Sequence, residues 1–452
     1  MHYLKQTTCI LCLIALLCGC AAEPAPPEVS ADTVIQQYTQ AAKALEAADC
    51  ICMNLTIDHT ISYGEDTYTQ SQNKSVILQK AGEFTAHTNG TIQYGQHQIS
   101  TEEIYKDGQL YLSLNSNLLC AALSQEDFLA DLPPIKMIDP SLYGSITTEH
   151  TDGAITLHLE EPIQAEAWAL PDSAAMLSAK ATAEINQQGD LYYTRYSLTF
   201  QRNDILESYT FHVQCYPLDA YSFPSPDIHA YQPVDSIQAP IALEKAYGML
   251  LQATHLTGTL SQSIYSQASS IHYNSISTVK RQGDKAQIET TVSLEDPSRG
   301  GKASTVTQLE TFENGSYTIT KDQDAPQKQS MDSNQFFSYC TELLSQNILS
   351  SSYVTQCTME NLKGSILLTF HADNALAQKL CENTCATIYQ DPGFLDSRAS
   401  DYQNHSVVYR ITVDAITGLP LACDMDYSTS HTIEQLEYSL ETHYRQTYSY
   451  QP

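Results

Sequence analysis

Four segments from the first half of this 452-residue chain recur, in the same order, in the second half. The helical pattern ADTVIQQYTQAAKAL (Ala31–Leu45) matches APIALEKAYGMLLQA (Ala239–Ala253), 208 residues further on. EEIYKDGQLYLSL (Glu102–Leu114) matches LETFENGSYTITK (Leu309–Lys321) at an offset of 207, with Gly108 against Gly315. TDGAITLHL (Thr151–Leu159) matches LKGSILLTF (Leu362–Phe370) at 211, and INQQGDLYYTRYSLTF (Ile185–Phe200) matches VDAITGLPLACDMDY (Val413–Tyr427) at 229. The offset jumps once, by 18, between Phe370 and Val413, where the second half carries extra helix-like sequence. Recurrence in order at nearly constant spacing predicts a tandem duplication, so the fold must be one that a half-chain can build.

Each half opens with an amphipathic helical face, Val34, Tyr38, Ala41, Ala42 and Leu45 in one and Ile241, Leu243, Ala246 and Leu250 in the other. Strand patterns of period two follow, as where Ile155, Leu157 and Leu159 alternate with Thr156 and His158. Asn89-Gly90, Asp107-Gly108, Asp152-Gly153 and Asn314-Gly315 read as tight turns, because positive φ costs little there. Helix-like stretches interrupt the strands at Ser124–Asp131, Ser333–Gln346 and Asn374–Tyr389. Twenty-nine tyrosines and a single Trp suit half-buried strands. An apolar sheet face must be covered, and the helices are the available cover. The expected class is therefore α+β: two tandem, strongly curved antiparallel sheets (half-barrels), each with helices packed in its concave face.

The N-terminus reads as an address. MHYLKQTTCILCLIALLCGC carries one charge, Lys5, and then an apolar run, Cys9 to Leu17, too short to span a bilayer. Leu17-Cys18-Gly19-Cys20 then resembles the bacterial lipobox, which implies recognition of Leu17, Cys18 and Gly19 by the signal peptidase and lipidation of Cys20. AAEPAPPEVS, with three prolines, cannot bury enough surface to fold. The expected organisation is a signal peptide (1–19), a lipidated cysteine with a tether (20–30), a first domain (31–223), a Pro-rich linker (224–238) and a second domain (239–452). The expected location is the outer face of the cell membrane, held by lipid, in a Gram-positive cell.

Fifty-two acidic residues against 22 basic ones give a net charge of −30, which argues against nucleic acid and against a basic membrane-binding face. Beyond Cys20 nine cysteines remain, an odd number without the spacing of a disulfide framework, and free thiols are the leading expectation.

With these features the chain resembles the LolA/LppX-like lipoproteins: a helix after the tether, an antiparallel meander, an inserted helix, and late strands carrying the turn Val413–Pro420 ahead of ACDMDYS. The resemblance covers residues 31–452, twice. It implies an apolar interior able to receive an acyl chain or the lipid of a lipoprotein, and it carries over no ligand residue. Two copies and an anchor of its own depart from the family pattern.

No catalytic signature emerges. Asp296–Lys302 ends in Gly-Lys but lacks the first glycine and the Ser/Thr of a phosphate loop, so it reads as a surface turn. Cys381 and Cys385 would share a helical face, and Cys50 and Cys52 one face of a strand; both read as core cysteines rather than metal or redox pairs. His158, His212 and His371 are dispersed, and Glu102-Glu103 and Glu160-Glu161 read as exposed doublets at hairpin ends. No enzyme activity, cofactor or metal is expected. The expected function is a binding module for an apolar or lipid ligand or a lipidated partner. The alternative is a structural or protein-interaction lipoprotein of the envelope.

Overall fold

The structure, a computed structural model, describes residues 30–131, 143–151, 154–162, 174–186, 191–266, 270–297, 304–346, 348, 350–351, 354–372, 374–389, 400–404, 407–433 and 436–450. Two sheets of twelve strands each dominate it. The first holds β1 (Cys50–Tyr63), β2 (Asp66–Gln79), β3 (Thr85–Tyr94), β4 (His97–Lys106), β5 (Gln109–Leu114), β6 (Asn117–Ala122), β7 (Tyr143–Thr151), β8 (Ala154–Pro162), β9 (Ala175–Asn186), β10 (Leu191–Arg202), β11 (Ile205–Pro217) and the short β12 (Gln232–Pro233). The second holds β13 (His255–Ser266), β14 (Ile271–Gln282), β15 (Lys285–Glu295), β16 (Ser304–Glu313), β17 (Ser316–Lys321), β18 (Gln327–Gln329), β19 (Val354–Leu362), β20 (Ser365–Ala372), β21 (Ser400–Asn404), β22 (Val408–Asp414), β23 (Pro420–Ile433) and β24 (Leu436–Tyr450). Five helices accompany them among the described residues: α1 (Ala31–Ala47), α2 (Gln125–Asp131), α3 (Gln238–Gln252), α4 (Ser333–Ser345) and α5 (Asn374–Tyr389).

The sheets wind alike. In the first the order is β12-β6-β5-β4-β3-β2-β1-β11-β10-β9-β8-β7; in the second it is β18-β17-β16-β15-β14-β13-β24-β23-β22-β20-β19, with β21 also paired to β23. In each, the opening strand lies mid-sheet, antiparallel both to its successor and to the last long strand, β11 or β24. Residues 102–114 and 309–321 fall on β4–β5 and β16–β17, the same ranks outward from β1 and β13. The linker contributes β12, which pairs parallel to the edge strand β6.

The expected α+β class is overturned: the molecule is mostly β, and neither sheet closes into a barrel. The cause is visible in strand length. β1, β2, β23 and β24 run 14 or 15 residues, rich in Thr, Tyr and Ile, so strand outweighs the short helices. Nor do the helices sort one set to each sheet's own hollow. α1 lies on β7–β11, burying Val34 and Tyr38. α3, expected to serve the second sheet alone, packs on β2, β3 and β4 of the first and on β19, β20 and β23 of the second. Gly248 makes this possible, since a Cβ there would lie 2.4 Å from Tyr94 Cβ. Asn89-Gly90, expected as a turn, sits inside β3, paired with Ser75 and Lys74.

The junction is polar as well as packed. Asp66 Oδ2 accepts hydrogen bonds from the Thr254 and His255 backbone N–H groups (2.9 and 3.0 Å), and Oδ1 lies 2.9 Å from His255 Nδ1. Gln252 Oε1 accepts from the Thr69 backbone at 2.8 Å, and His97 Nε2 lies 2.8 Å from Glu244 Oε2. Buried apolar side chains of both sheets, Leu112 and Phe370 among them, belong to one contiguous cluster.

Candidate functional site

The alternation of β1–β5 and β11 decides what the first sheet presents to α3. On β2 the inward row runs Tyr68, Gln70, Gln72, Lys74, Val76 and Leu78, apolar at both ends and polar in the middle. On β5 it supplies Leu110 and Leu112, on β3 Ile92 and Tyr94, and on β11 Tyr209 and Phe211. Phe128 of α2 and Ile241 of α3 close over them. Between these walls lies a cavity of about 380 Å³.

α2 has only seven residues, too few to stand alone, and is held from both ends. Ser124 Oγ accepts from the Asp127 backbone N–H at 3.0 Å, and Phe128 stacks on Tyr105 with ring centroids 4.8 Å apart.

Three charged side chains line the cavity: Lys74, Glu103 and Lys245. Lys74 Nζ and Glu103 Oε1 lie 3.8 Å apart, and Gly90, the cross-strand neighbour of Lys74, leaves room for its stem. Lys245, on α3, is partly buried and has no hydrogen bond or ion pair among the described residues. The acids whose charge acts on it, Glu207 and Asp414, hold other partners. Glu207 takes Arg202 Nη2 at 2.8 Å, His59 Nε2 at 3.2 Å and the Tyr209 hydroxyl at 3.4 Å. Asp414 Oδ1 caps the turn through the backbone N–H groups of Ile416 and Thr417, 3.0 and 2.7 Å away. Burial pushes the Lys245 amine below its ordinary value, against the opposite pull of these two carboxylates.

Beside the cavity, His59 lies in the inward row of β1 between Ile57 and Ile61 and stacks on Tyr209, ring centroids 3.8 Å apart. Burial holds its ring below the ordinary histidine range although the hydrogen bond to Glu207 works the other way. For Glu207 burial works upward, but the bonds from His59 and Arg202 prevail and keep the carboxyl below its usual value. A second hollow, about 640 Å³ and open to solvent, lies between α3 and α4, where Arg281 sits 5.1 Å over the Phe337 ring.

Leu17, Cys18, Gly19 and Cys20 lie outside the described residues, as do Asp152-Gly153 and the side chains of Glu161 and Cys381. Cys50 and Cys52 are buried on β1 and Cys385 is buried on α5; Cys50, Cys52, Cys120, Cys215, Cys340, Cys357 and Cys423 are free thiols. Burial pushes Cys215, Cys340 and Cys423 up to about 12 and Cys357 to about 11. His158 lies 3.2 Å from Glu149 at the surface, and His212 is hydrogen-bonded to Tyr193, so neither joins the cavity. Glu160 is an exposed partner of Lys180. The doublet Glu102-Glu103 is not an exposed hairpin-end pair. It lies within β4, whose alternation sends Glu102 to His87 at 3.0 Å and Glu103 into the cavity. Among the described residues no three His, Cys, Asp or Glu side chains gather as a metal site.

Lys74 and Lys245 went unread in the sequence, though each leaves a trace. Lys74 continues a period-two row between Tyr68 and Val76, and Lys245 interrupts the i, i+4 stripe of Ile241 and Met249.

No family model matches the sequence, and no curated protein matches it. Among solved structures the chain is similar to LprF from Mycobacterium bovis, at 12% identity over 43% of this chain and 96% of that one, TM-score 0.25. It is also similar to the translocator domain of the autotransporter NalP from Neisseria meningitidis (6% identity, 92% and 95% coverage, TM-score 0.10). A third is kievitone hydratase from Nectria haematococca (5%, 89% and 90%, TM-score 0.13). Likenesses this remote fix neither fold nor function, and the strand pairings stand on their own.

Proposed function

We propose that the protein is an extracytoplasmic, membrane-anchored binding module without catalytic activity, whose ligand is apolar and occupies the cavity between the first sheet and α3. The observation that carries this reading is the cavity itself. Its volume of about 380 Å³ falls in the range of small-molecule sites, roughly 300–1,000 Å³, and Ile57, Ile92, Leu110, Leu112, Phe128 and Phe211 make most of its wall apolar. The anchor in this reading is a lipid on Cys20, and the body is two tandem units, 31–223 and 239–452. No helix among the described residues is long and apolar enough to cross a membrane. Four buried thiols held at about 11–12 are poor nucleophiles at neutral pH, which argues against thiol catalysis at Cys215, Cys340, Cys357 and Cys423.

The test is native mass spectrometry of the full chain purified from its own host, with lipid extraction of the same sample. A bound mass of lipid size, released on denaturation and recovered in the organic phase, is expected. A clean apo mass that takes up neither added fatty acid nor phospholipid would overturn the reading and favour an envelope protein as partner.

A further inference from the structure

Buried charge in the cavity does not balance. Lys74 and Lys245 face it with Glu103 as the one acid, in a chain that carries 52 acidic residues against 22 basic. Lys74 and Glu103 lie within ion-pair distance of each other at 3.8 Å, which leaves Lys245. It runs against Gly418 of the second half, where an added Cβ would lie 2.6 Å from Lys245 Cε and 3.2 Å from Nζ. Of the two carboxylates whose charge acts on it, Glu207 gives its oxygens to Arg202 and His59, and Asp414 gives Oδ1 to the Ile416–Thr417 turn. An ammonium group at an apolar wall is disfavoured unless something pairs with it.

We infer that the ligand is an amphiphile with a single apolar tail and an anionic oxygen head, and that the head pairs with Lys245 while the tail lies along Ile57, Ile92, Leu110, Leu112 and Phe128. This rests on the cavity being a ligand site, as proposed above. The lowered amine pKa is consistent with it: an arriving anion restores the charged form that burial disfavours. A volume of about 380 Å³, near the lower end for ligand pockets, suits one chain rather than a diacyl lipid. A carboxylate and a phosphomonoester head would both satisfy Lys245.

The experiment is titration calorimetry of the full chain with oleate, 1-oleoyl-lysophosphatidate and methyl oleate, on wild type, Lys245→Met and Lys245→Arg, each checked by thermal melting. Expected is binding of at least one acidic probe, weakened on the order of tenfold to a hundredfold in Lys245→Met and retained in Lys245→Arg, as for losing a hydrogen bond to a charged group. Methyl oleate should bind weakly and indifferently to the substitution. Whichever acid binds tighter identifies the head as carboxylate or phosphate. If oleate and methyl oleate bind alike and Lys245→Met changes neither, the anionic head is overturned while the apolar site stands. If no probe binds any variant, the site itself is overturned. If Lys245→Met fails to melt as wild type does, Lys245→Arg with the three wild-type affinities decides: the inference fails unless an acidic probe outbinds the ester.

Discussion

Single residues set the chemistry of the first sheet's interior, and His59 shows how. It occupies an apolar row, stacks on Tyr209 and meets Glu207, and burial holds its ring below the ordinary histidine range despite the bond to Glu207. The consequence for pH has a definite sign. Once the pH falls below about 6.5, the unfolded chain takes up a proton that the folded ring refuses, so stability falls with pH through that window. His59→Asn, which cannot titrate, should flatten the decline between about pH 7 and 5 in urea unfolding of the full chain. A decline equally steep in the variant would assign the proton uptake to another group. At this scale the sequence was least legible. Glu103 read as an exposed charge and Lys74 went unread, because neither a doublet nor a lone lysine says anything of its face until the strand register is known. Asn89-Gly90 read as a turn because the dipeptide favours one, yet ten paired residues of β3 override the local preference.

At the scale of elements, legibility was better where local chemistry and long-range pairing agree. Asp107-Gly108 and Asn314-Gly315 are turns with positive φ at both residues, joining β4 to β5 and β16 to β17. The expected helices at Ser124–Asp131, Ser333–Gln346 and Asn374–Tyr389 correspond to α2, α4 and α5. What pattern could not reveal is the neighbour of each face. α3 carries an amphipathic repeat that any sheet could satisfy, and only the packed chain shows that it serves two. Its C-terminal end is fixed to the β1–β2 turn by Asp66. Burial favours the neutral acid there, but hydrogen bonds from Thr254 and His255 hold Asp66 below its ordinary value. Asp66→Ala leaves two backbone N–H groups of the junction without an acceptor, a loss on the order of 2–3 kcal/mol. Hydrogen exchange should locate that loss at residues 66–69 and 252–256. A uniform change across both sheets, with no excess at the junction, would show that Asp66 does not fasten one half to the other.

For the molecule as a whole, four recurring segments foretold two similarly wound units, and the sheets do share their order of strands. The class was misread because helix-like stretches stand out in a sequence, while long strands of Thr, Tyr and Ser do not announce how far they extend. The cavity was not legible at all, since its walls come from six strands of one sheet and two helices, one of which belongs to the second half's sequence. That convergence gives the halves a joint role: the first sheet supplies the floor and α3 the lid. The direct measurement is therefore one that closes the space without touching its charge. Ile241→Trp puts an indole from α3 into the cavity, and uptake of oleate by the full chain can be followed by native mass spectrometry beside wild type. One oleate per wild-type chain and none on Ile241→Trp, with both proteins melting alike, is the expected result. Equal uptake by the two would contradict a ligand site between the first sheet and α3.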